Sequence, residues 1–351
     1  MKKNIVVLFG GQSSEHEISL KSATTIIQNI DQDKYNIYPI GITKEGKWLL
    51  YQGEISGIVE NQWIKNGIST IISPDATHHG IIIFKEEPLF IEIDVIFPVL
   101  HGSNGEDGTV QGLFQIAQIP YVGCGVLSSA VAMDKGITKI IADAYNIPQA
   151  KYVIVKAAKL KQIDKVIEGI EAALPYPYFI KPANAGSSVG ISKANNKEEL
   201  IAGLHLAAKH DVKILVEETI VGREVETAAL GNEDVRISGV GEIIAAAEFY
   251  DYDAKYNNSD SRTVMNADLP DDIKNEIRQY AKRIFKAVEG KGLARIDFFV
   301  TEDNQIIFNE INTLPGFTSI SMYPMLWKDQ GMDTPDLVEE LISLASLSGS
   351  L

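Results

Sequence analysis

Apolar and polar positions alternate along the chain in blocks of two kinds, and the first block is apolar throughout. "NIVVLFGG" reads as a buried strand running into a glycine turn. Ser14 and Glu17 then have capping-box spacing for a helix reaching about Asn29. "YNIYPIGIT", "GKWLLY" and, after a variable polar stretch, "IDVIFPVLHG" read as further strands. "GEDGTVQGLFQIAQ" opens a helix and "IPYVG" closes with a short strand. Strands alternating with helices predict a doubly wound parallel sheet up to about residue 125.

Beyond it the pattern changes. A helix starting at Ser128 carries "MDKGITKIIADAYN", and "KYVIVKA", "YFIKPA" and "GISKA" read as strands with helices over 160–173 and 197–210. From "KILVEETI" onward strands dominate, interrupted by a helix over 270–289 and closed by the amphipathic "TPDLVEELISLASL". "EFYDYDAKYNNSDSRTVMNADLP" is long for a loop in a compact domain, and its length predicts a lid.

"RIDFFVTEDNQIIFNEIN" reads as a hairpin with a polar loop. Side chains alternate along a strand, so Arg295, Asp297 and Phe299 share one face. Ile306, Phe308, Glu310 and Asn312 share a face of the other arm. If Thr301 pairs with Ile306, Asp297 falls opposite Glu310, where like charges are destabilising. A solvated hairpin face is the plainer alternative, but the apolar neighbours point to a covered one. The pair then needs a cation between its carboxylates, and a hard divalent ion held with substrate phosphates meets that need. On repulsion alone, Asp297→Asn is expected to be neutral or stabilising in metal-free protein.

Composition narrows the function classes. The 351 residues, 45% hydrophobic and 23% charged, suffice for two or three domains of an ordinary globular protein. A formal net charge of −15 argues against nucleic acid as a partner. The one cysteine, Cys124, excludes an intramolecular disulfide and fits a reducing cytoplasm; packing suits it better than a nucleophilic role, since "VGCGV" offers no adjacent base. The first apolar run is too short for a signal peptide, and no stretch approaches a membrane span.

Candidate chemistry sits in three small-residue loops. "KPANAGSSVGI" lets backbone N–H groups approach an anion, with Lys181 supplying a cation, although a plain hairpin turn has the same look. It is neither a Walker loop nor a dinucleotide fingerprint. "FGGQSSEHE" and "HGSNGEDGTVQG" follow predicted strands at the ligand edge of an open α/β sheet, so Glu15 and His101 are candidates for a shared crevice.

Taken together, "FGGQSSEHEISLKSA", "PVLHGSNGEDGTVQG", "MDK", "FIKPANAGSSVGI", "EFYDYDAKY", "ARIDFF" and "NEINTLPGFTSISMYP" resemble, in order and over nearly the whole chain, the D-alanine–D-alanine ligases of the ATP-grasp superfamily. The resemblance implies a three-domain ATP-grasp fold, α/β and α+β: an N-terminal domain over 1–126, a central one over 127–214 and a C-terminal one over 215–351. It implies ATP gripped between the last two, with Asp297, Glu310 and Asn312 ligating two Mg²⁺ ions, Mn²⁺ being the alternative. Lys135, Lys181 and Lys255 would contact ATP, Glu217 its adenine amine, the Ile220 backbone its adenine and Glu224 its ribose, with Glu218 in the same pocket.

By the same resemblance Glu15, hydrogen-bonded to Ser187 and Tyr256, would pair with the ammonium of a first D-alanine, and His101 would lie near it. Arg295 and the Gly316 N–H would serve the oxyanion, and Ser321 and the Met322 N–H the carboxylate of a second D-alanine. The implied product is D-alanyl-D-alanine for peptidoglycan, made in the cytoplasm by a homodimer joined through its N-terminal domains. Asn266 and Ala185 depart from the family pattern, at no catalytic position. Two rivals are a sibling ligase taking D-lactate or D-serine second and a silent nucleotide-binding protein; Tyr256 and "SISMYP" favour the dipeptide-forming type.

Overall fold

The computed structural model describes residues 2–186, 189–244 and 262–345. They build three sheets in chain order. The first holds β1 (Lys3–Gly10), β2 (Tyr35–Ile42), β3 (Trp48–Leu50), β4 (Ile68–Ile72), β5 (Gly80–Ile83), β6 (Leu89–Glu92) and β7 (Val95–Val99), in the order β6-β5-β4-β3-β2-β1-β7. β1 runs parallel to both β2 and β7 and is covered on both faces, which is why its sequence is a continuous apolar run. The expectation of a parallel sheet holds only for this centre. β3, which the sequence marks as a strand, begins an antiparallel extension that the polar stretch after it continues through β4, β5 and β6.

The second sheet, β8 (Tyr152–Lys156), β9 (Tyr178–Pro182), β10 (Ser192–Ala194) and β11 (Lys213–Glu218), is antiparallel in the order β10-β9-β11-β8. Helices Ile163–Ala173 and Lys197–Ala207 cover one face of it. The third contains β12 (Arg223–Leu230), β13 (Arg236–Ile237), β14 (Gly241–Ile244), β15 (Arg262–Val264), β16 (Leu293–Val300) and β17 (Ile306–Asn312), along the path β15-β14-β12-β16-β17 with β13 beside β12. Helix Asp271–Ala287 buries Ile277, Ala281, Ile284 and Phe285 against one face.

Three local readings are corrected. The capping box does not form: the first helix spans His16–Asn29 with Glu15 at its N-cap and no side-chain cap bond. The helix through "MDKGITKIIADAYN" is two helices, Val126–Met133 and Lys135–Ala144, because Asp134 leaves the helical backbone region and caps the second through the Ile137 N–H. The third concerns the hairpin. Val300, not Thr301, pairs with Ile306, yet Asp297 still faces Glu310, because Asn309 is an extra residue bulged out of β17. The bulge turns Phe308 onto the core face beside Phe298 and gives Ile307 the place opposite Phe299.

One core joins the ends of the chain. Phe9 and Leu20 share a cluster with Phe317 and Trp327, and with Leu337 and Leu341 of the closing helix Thr334–Ser343. The C-terminal segment therefore packs back onto the first sheet.

Candidate active site

A cavity of about 410 Å³ opens between the second and third sheets. Its floor is one face of β12, β16 and β17. Glu226 of β12 pairs with Asp297 of β16, which pairs with Glu310 of β17, so three carboxylates lie in a row across the ladder. Two strand positions along, Ala228, Arg295 and Asn312 form the next row. Arg295 folds back on the first row: its Nε donates to Asp297 Oδ1 at 2.8 Å and its second terminal nitrogen to Oδ2 at 2.7 Å, while Glu226 lies 3.1 Å from Nε. Burial works against the Arg295 charge, but Asp297 and Glu226 outweigh it and raise the guanidinium pKa well above its ordinary value. Asn312 Nδ2 donates to Asp297 Oδ2 at 3.1 Å. The cation that the facing carboxylates require is thus present as protein: Arg295 on Asp297, and Lys135, 3.4 Å from Glu310.

The opposite wall belongs to the second sheet and the helix Lys135–Ala144. Lys181 on β9 and Lys139 on the helix hold the two oxygens of Glu217 on β11, at 2.5 Å and 2.6 Å. Burial would raise the Glu217 carboxyl, but Lys139 and Lys181 more than offset it and hold the group down at about 2. Lys135, at the start of that helix, donates to the Ala185 carbonyl at 2.9 Å and so ties the glycine loop to the floor. Glu218, Ile220 and Glu224 line the cavity beside these groups. The Glu218 carboxylate accepts from the Lys151 N–H at 2.8 Å.

The first sheet contributes one end. Glu15 lines the cavity and reaches two glycine loops: a Cβ on Gly102 would stand 2.8 Å from its Oε2, and one on Gly186 3.0 Å away. Gly102 also has φ +72, so two reasons keep a side chain out of that turn. Glu106 joins Glu15 in the lining and accepts from the Gly102 N–H at 2.7 Å and the Leu314 N–H at 3.0 Å. Burial, and then the nearby Glu15 charge, push its carboxyl up to about 8.

His101 stands outside the cavity lining. It is 5% exposed, and its ring nitrogens engage the Leu314 carbonyl at 2.8 Å and the Ser22 hydroxyl at 3.2 Å. Gly316 and Ser321 sit together beyond it, a Cβ on the glycine falling 3.0 Å from Ser321 Oγ. That hydroxyl bonds Thr318 at 2.8 Å and 3.0 Å, and Ser321 is the N-cap of the helix Met322–Asp329. The Met322 N–H therefore belongs to the open first turn of a helix. Ser187, Lys255 and Tyr256 lie outside the described residues, as does most of the lid stretch.

Glu226, Lys139, Glu106 and Ser22 belong to this neighbourhood, although sequence reasoning does not single them out. Glu226 carries a signal in hindsight: it alternates with Glu224 along "REVETAALG", on the face that meets Asp297. Lys139 carries none, since a lysine in an amphipathic helix reads as exposed, yet it is 2% exposed here.

The chain matches the family model described as "D-ala D-ala ligase N-terminus" over residues 4–124 and that described as "D-ala D-ala ligase C-terminus" over 141–343. It is 52% identical to a D-alanine–D-alanine ligase of Acetivibrio thermocellus, covering 98% of this chain and 96% of that one. Identity to a D-alanine–D-alanine ligase of Caldicellulosiruptor bescii is also 52%, over 98% and 95%. Among solved structures, the VanG D-Ala:D-Ser ligase from Enterococcus faecalis superposes with a TM-score of 0.90 at 41% identity, over 98% of this chain and 99% of that one. The D-alanine–D-alanine ligase from Coxiella burnetii gives 0.83 at 34%, over 98% and 93%. With both family models matched and full-length relatives at half identity, the chain belongs to the D-alanine–D-alanine ligase family and has its ATP-grasp fold.

Proposed function

We propose that the protein joins two D-alanines into D-alanyl-D-alanine for peptidoglycan, consuming ATP and releasing ADP and phosphate. One observation carries the reading: Glu15, Lys181, Arg295 and the row Glu226, Asp297, Glu310 converge on a single cavity between the two later sheets. A D-alanine carboxylate is a poor electrophile, and taking the γ-phosphoryl group converts it to an acyl phosphate. The amine of the second D-alanine then forms the peptide bond as phosphate leaves. Positioning and charge neutralisation dominate such a transfer. Lys135 and Lys181 supply positive charge at the nucleotide side, Glu217 and the Ile220 backbone take the adenine, Glu218 borders it and Glu224 takes the ribose.

Glu15, with Ser187 and Tyr256, holds the first ammonium. Arg295, fixed by Asp297 and Glu226, and the Gly316 N–H face the developing oxyanion, where preorganised donors matter most. Ser321 and the Met322 N–H receive the second carboxylate. His101 is placed near the first substrate by the same reading, through the loop it supports.

The donor set fits Mg²⁺, or Mn²⁺ in its place. Asp297, Glu310 and Asn312 offer hard oxygens on one face, and the three-carboxylate row exceeds its two cations by one charge. Among the described residues no group of three or more His, Cys, Asp or Glu is arranged to hold a metal unaided, and substrate phosphate and water oxygens would complete the shell. Bound there, the ions neutralise phosphate charge. The reading extends to three domains over 1–126, 127–214 and 215–351, to a cytoplasmic homodimer joined through the N-terminal domains, and to a lid carrying Lys255.

Incubation with MgATP and D-alanine, D-serine or D-lactate, singly and in pairs, tests it. D-alanine alone should yield ADP, phosphate and dipeptide in equal amounts. AMP and pyrophosphate would overturn the phosphoryl step. Preferential D-alanyl-D-serine formation would favour the second reading, which the likeness to the D-Ala:D-Ser ligase motivates.

A further inference from the structure

We propose that Ser22, His101 and Glu106 form a clamp through which the first sheet holds residues 314–317, making all three positioning residues for the Gly316 N–H; the proposal rests on the ligase reading above. Leu314 is gripped at both ends of its backbone by one loop. Its N–H donates to Glu106 Oε1 at 3.0 Å, and its carbonyl lies 2.8 Å from His101 Nδ1. Three residues on, the Phe317 N–H donates to Ser22 Oγ at 3.1 Å, and that hydroxyl meets His101 Nε2 at 3.2 Å. Gly316 lies between the two gripped peptides.

The chemistry of these atoms orients the whole circuit. A carbonyl can only accept, so Nδ1 carries the proton toward Leu314 and Nε2 is the acceptor in the neutral ring. The Ser22 proton then points at Nε2, and its oxygen accepts from Phe317. With the ring neutral, these bonds run in one direction around the circuit. Such a network fixes a loop more firmly than independent bonds do.

The placement of His101 separates this role from a substrate contact. Glu15 and Glu106 line the cavity, whereas His101 lies behind it, 5% exposed. Ser22 is wholly buried on the inner face of the helix His16–Asn29. Glu106 also holds its own loop shut through the Gly102 N–H at 2.7 Å, so the clamp's base is rigid.

The test begins with wild-type protein, MgATP and D-alanine; absence of dipeptide there overturns the ligase reading and not the clamp. Given wild-type turnover, Ser22→Ala and His101→Leu should each lower kcat about ten- to a hundred-fold, the cost of misplacing a reacting geometry by about an ångström. Nucleotide affinity and the KM for D-alanine should move less than about threefold, since neither side chain touches the substrates. The double variant should be no slower than His101→Leu, because a single circuit is broken only once. Amide exchange across 313–318 should quicken in each variant.

Should Ser22→Ala fail to fold, His101→Asn replaces it. Asn presents an amide N–H where Nδ1 stood, so it should retain more kcat than His101→Leu. Wild-type kcat in Ser22→Ala, multiplying losses in the double variant, or unchanged exchange across 313–318 would each overturn the clamp. So would equal losses in His101→Asn and His101→Leu.

Discussion

Asp297 shows how a single near neighbour changes the sign of an effect. At about 5 Å and an effective dielectric of 20, two carboxylates repel by about 3 kcal/mol, which alone would make Asp297→Asn neutral or stabilising. The same relation gives about 6 kcal/mol of attraction at the 2.8 Å separation from Arg295. Attraction wins. In EDTA, Asp297→Asn should therefore lose about 1–3 kcal/mol in urea melts, with ligation abolished. Glu310→Gln, whose side chain is 31% exposed and pairs with Lys135 at 3.4 Å, should change by under about 1 kcal/mol. A metal-free Asp297→Asn as stable as wild type would show that attraction to Arg295 does not outweigh the carboxylate repulsion.

Glu217 supports a second residue-scale prediction, with a definite pH sign. Its carboxyl is depressed to about 2 against an ordinary 4.5, so its contribution is whole above about pH 4.5 and fades as pH falls toward 2. Lys139→Met removes one of its two cations and should cost about 3 kcal/mol at pH 7. The cost should shrink by about 1 kcal/mol near pH 3.5, where a less depressed Glu217 is already protonated in the folded variant. Melts at both pH values decide it; a cost that does not change with pH would mean that Lys139 acts through packing.

At the scale of elements, the bulge at Asn309 is the informative departure. Deleting Asn309 would leave Phe308 in the core and Glu310 facing Asp297, because the two then become neighbours on opposite faces of a regular strand. What the bulge adds is local twist, aiming the end of β17 toward the cavity that Asn309 itself lines. Deleting Asn309 should leave a folded protein with unchanged secondary structure by circular dichroism. Its kcat should nevertheless fall at least about tenfold, as re-aimed ligand groups do when displaced. An active deletion variant would reduce the bulge to a tolerated insertion.

The whole molecule couples these parts. The cavity lies between two sheets, while the helices after residue 321 share a core with the first sheet. A ligand spanning the cavity should stabilise the chain as a unit: MgATP at a hundredfold excess over its Kd should add about 2.7 kcal/mol. Lys181→Met should lose most of that increment, because Lys181 reaches into the cavity and its pairing with Glu217 is local. Thermal melts with and without MgATP read this directly, and an increment retained in Lys181→Met would remove that lysine from the nucleotide site.

Much of this is written locally in the chain. β1 is legible because a doubly covered strand must be apolar throughout; the facing of Asp297 and Glu310 is read correctly, but from a register one residue off that the bulge at Asn309 makes good. The seven ordered motifs carry the family. What local rules cannot reach are contacts between residues far apart in sequence. Beyond β3, the sheet's antiparallel extension hides in a polar stretch, since β4 and β6 are half-exposed and weakly patterned. Lys139 looks like a surface residue until Glu217, brought in from another strand, offsets the cost of its burial. Arg295 shares a face with Asp297 already in the sequence, whereas its second carboxylate, Glu226, comes from another strand and is revealed only by the ladder. Periodicity records which face a residue shows; which charge meets it there is decided by the packing of distant segments, and that belongs to the tertiary structure alone.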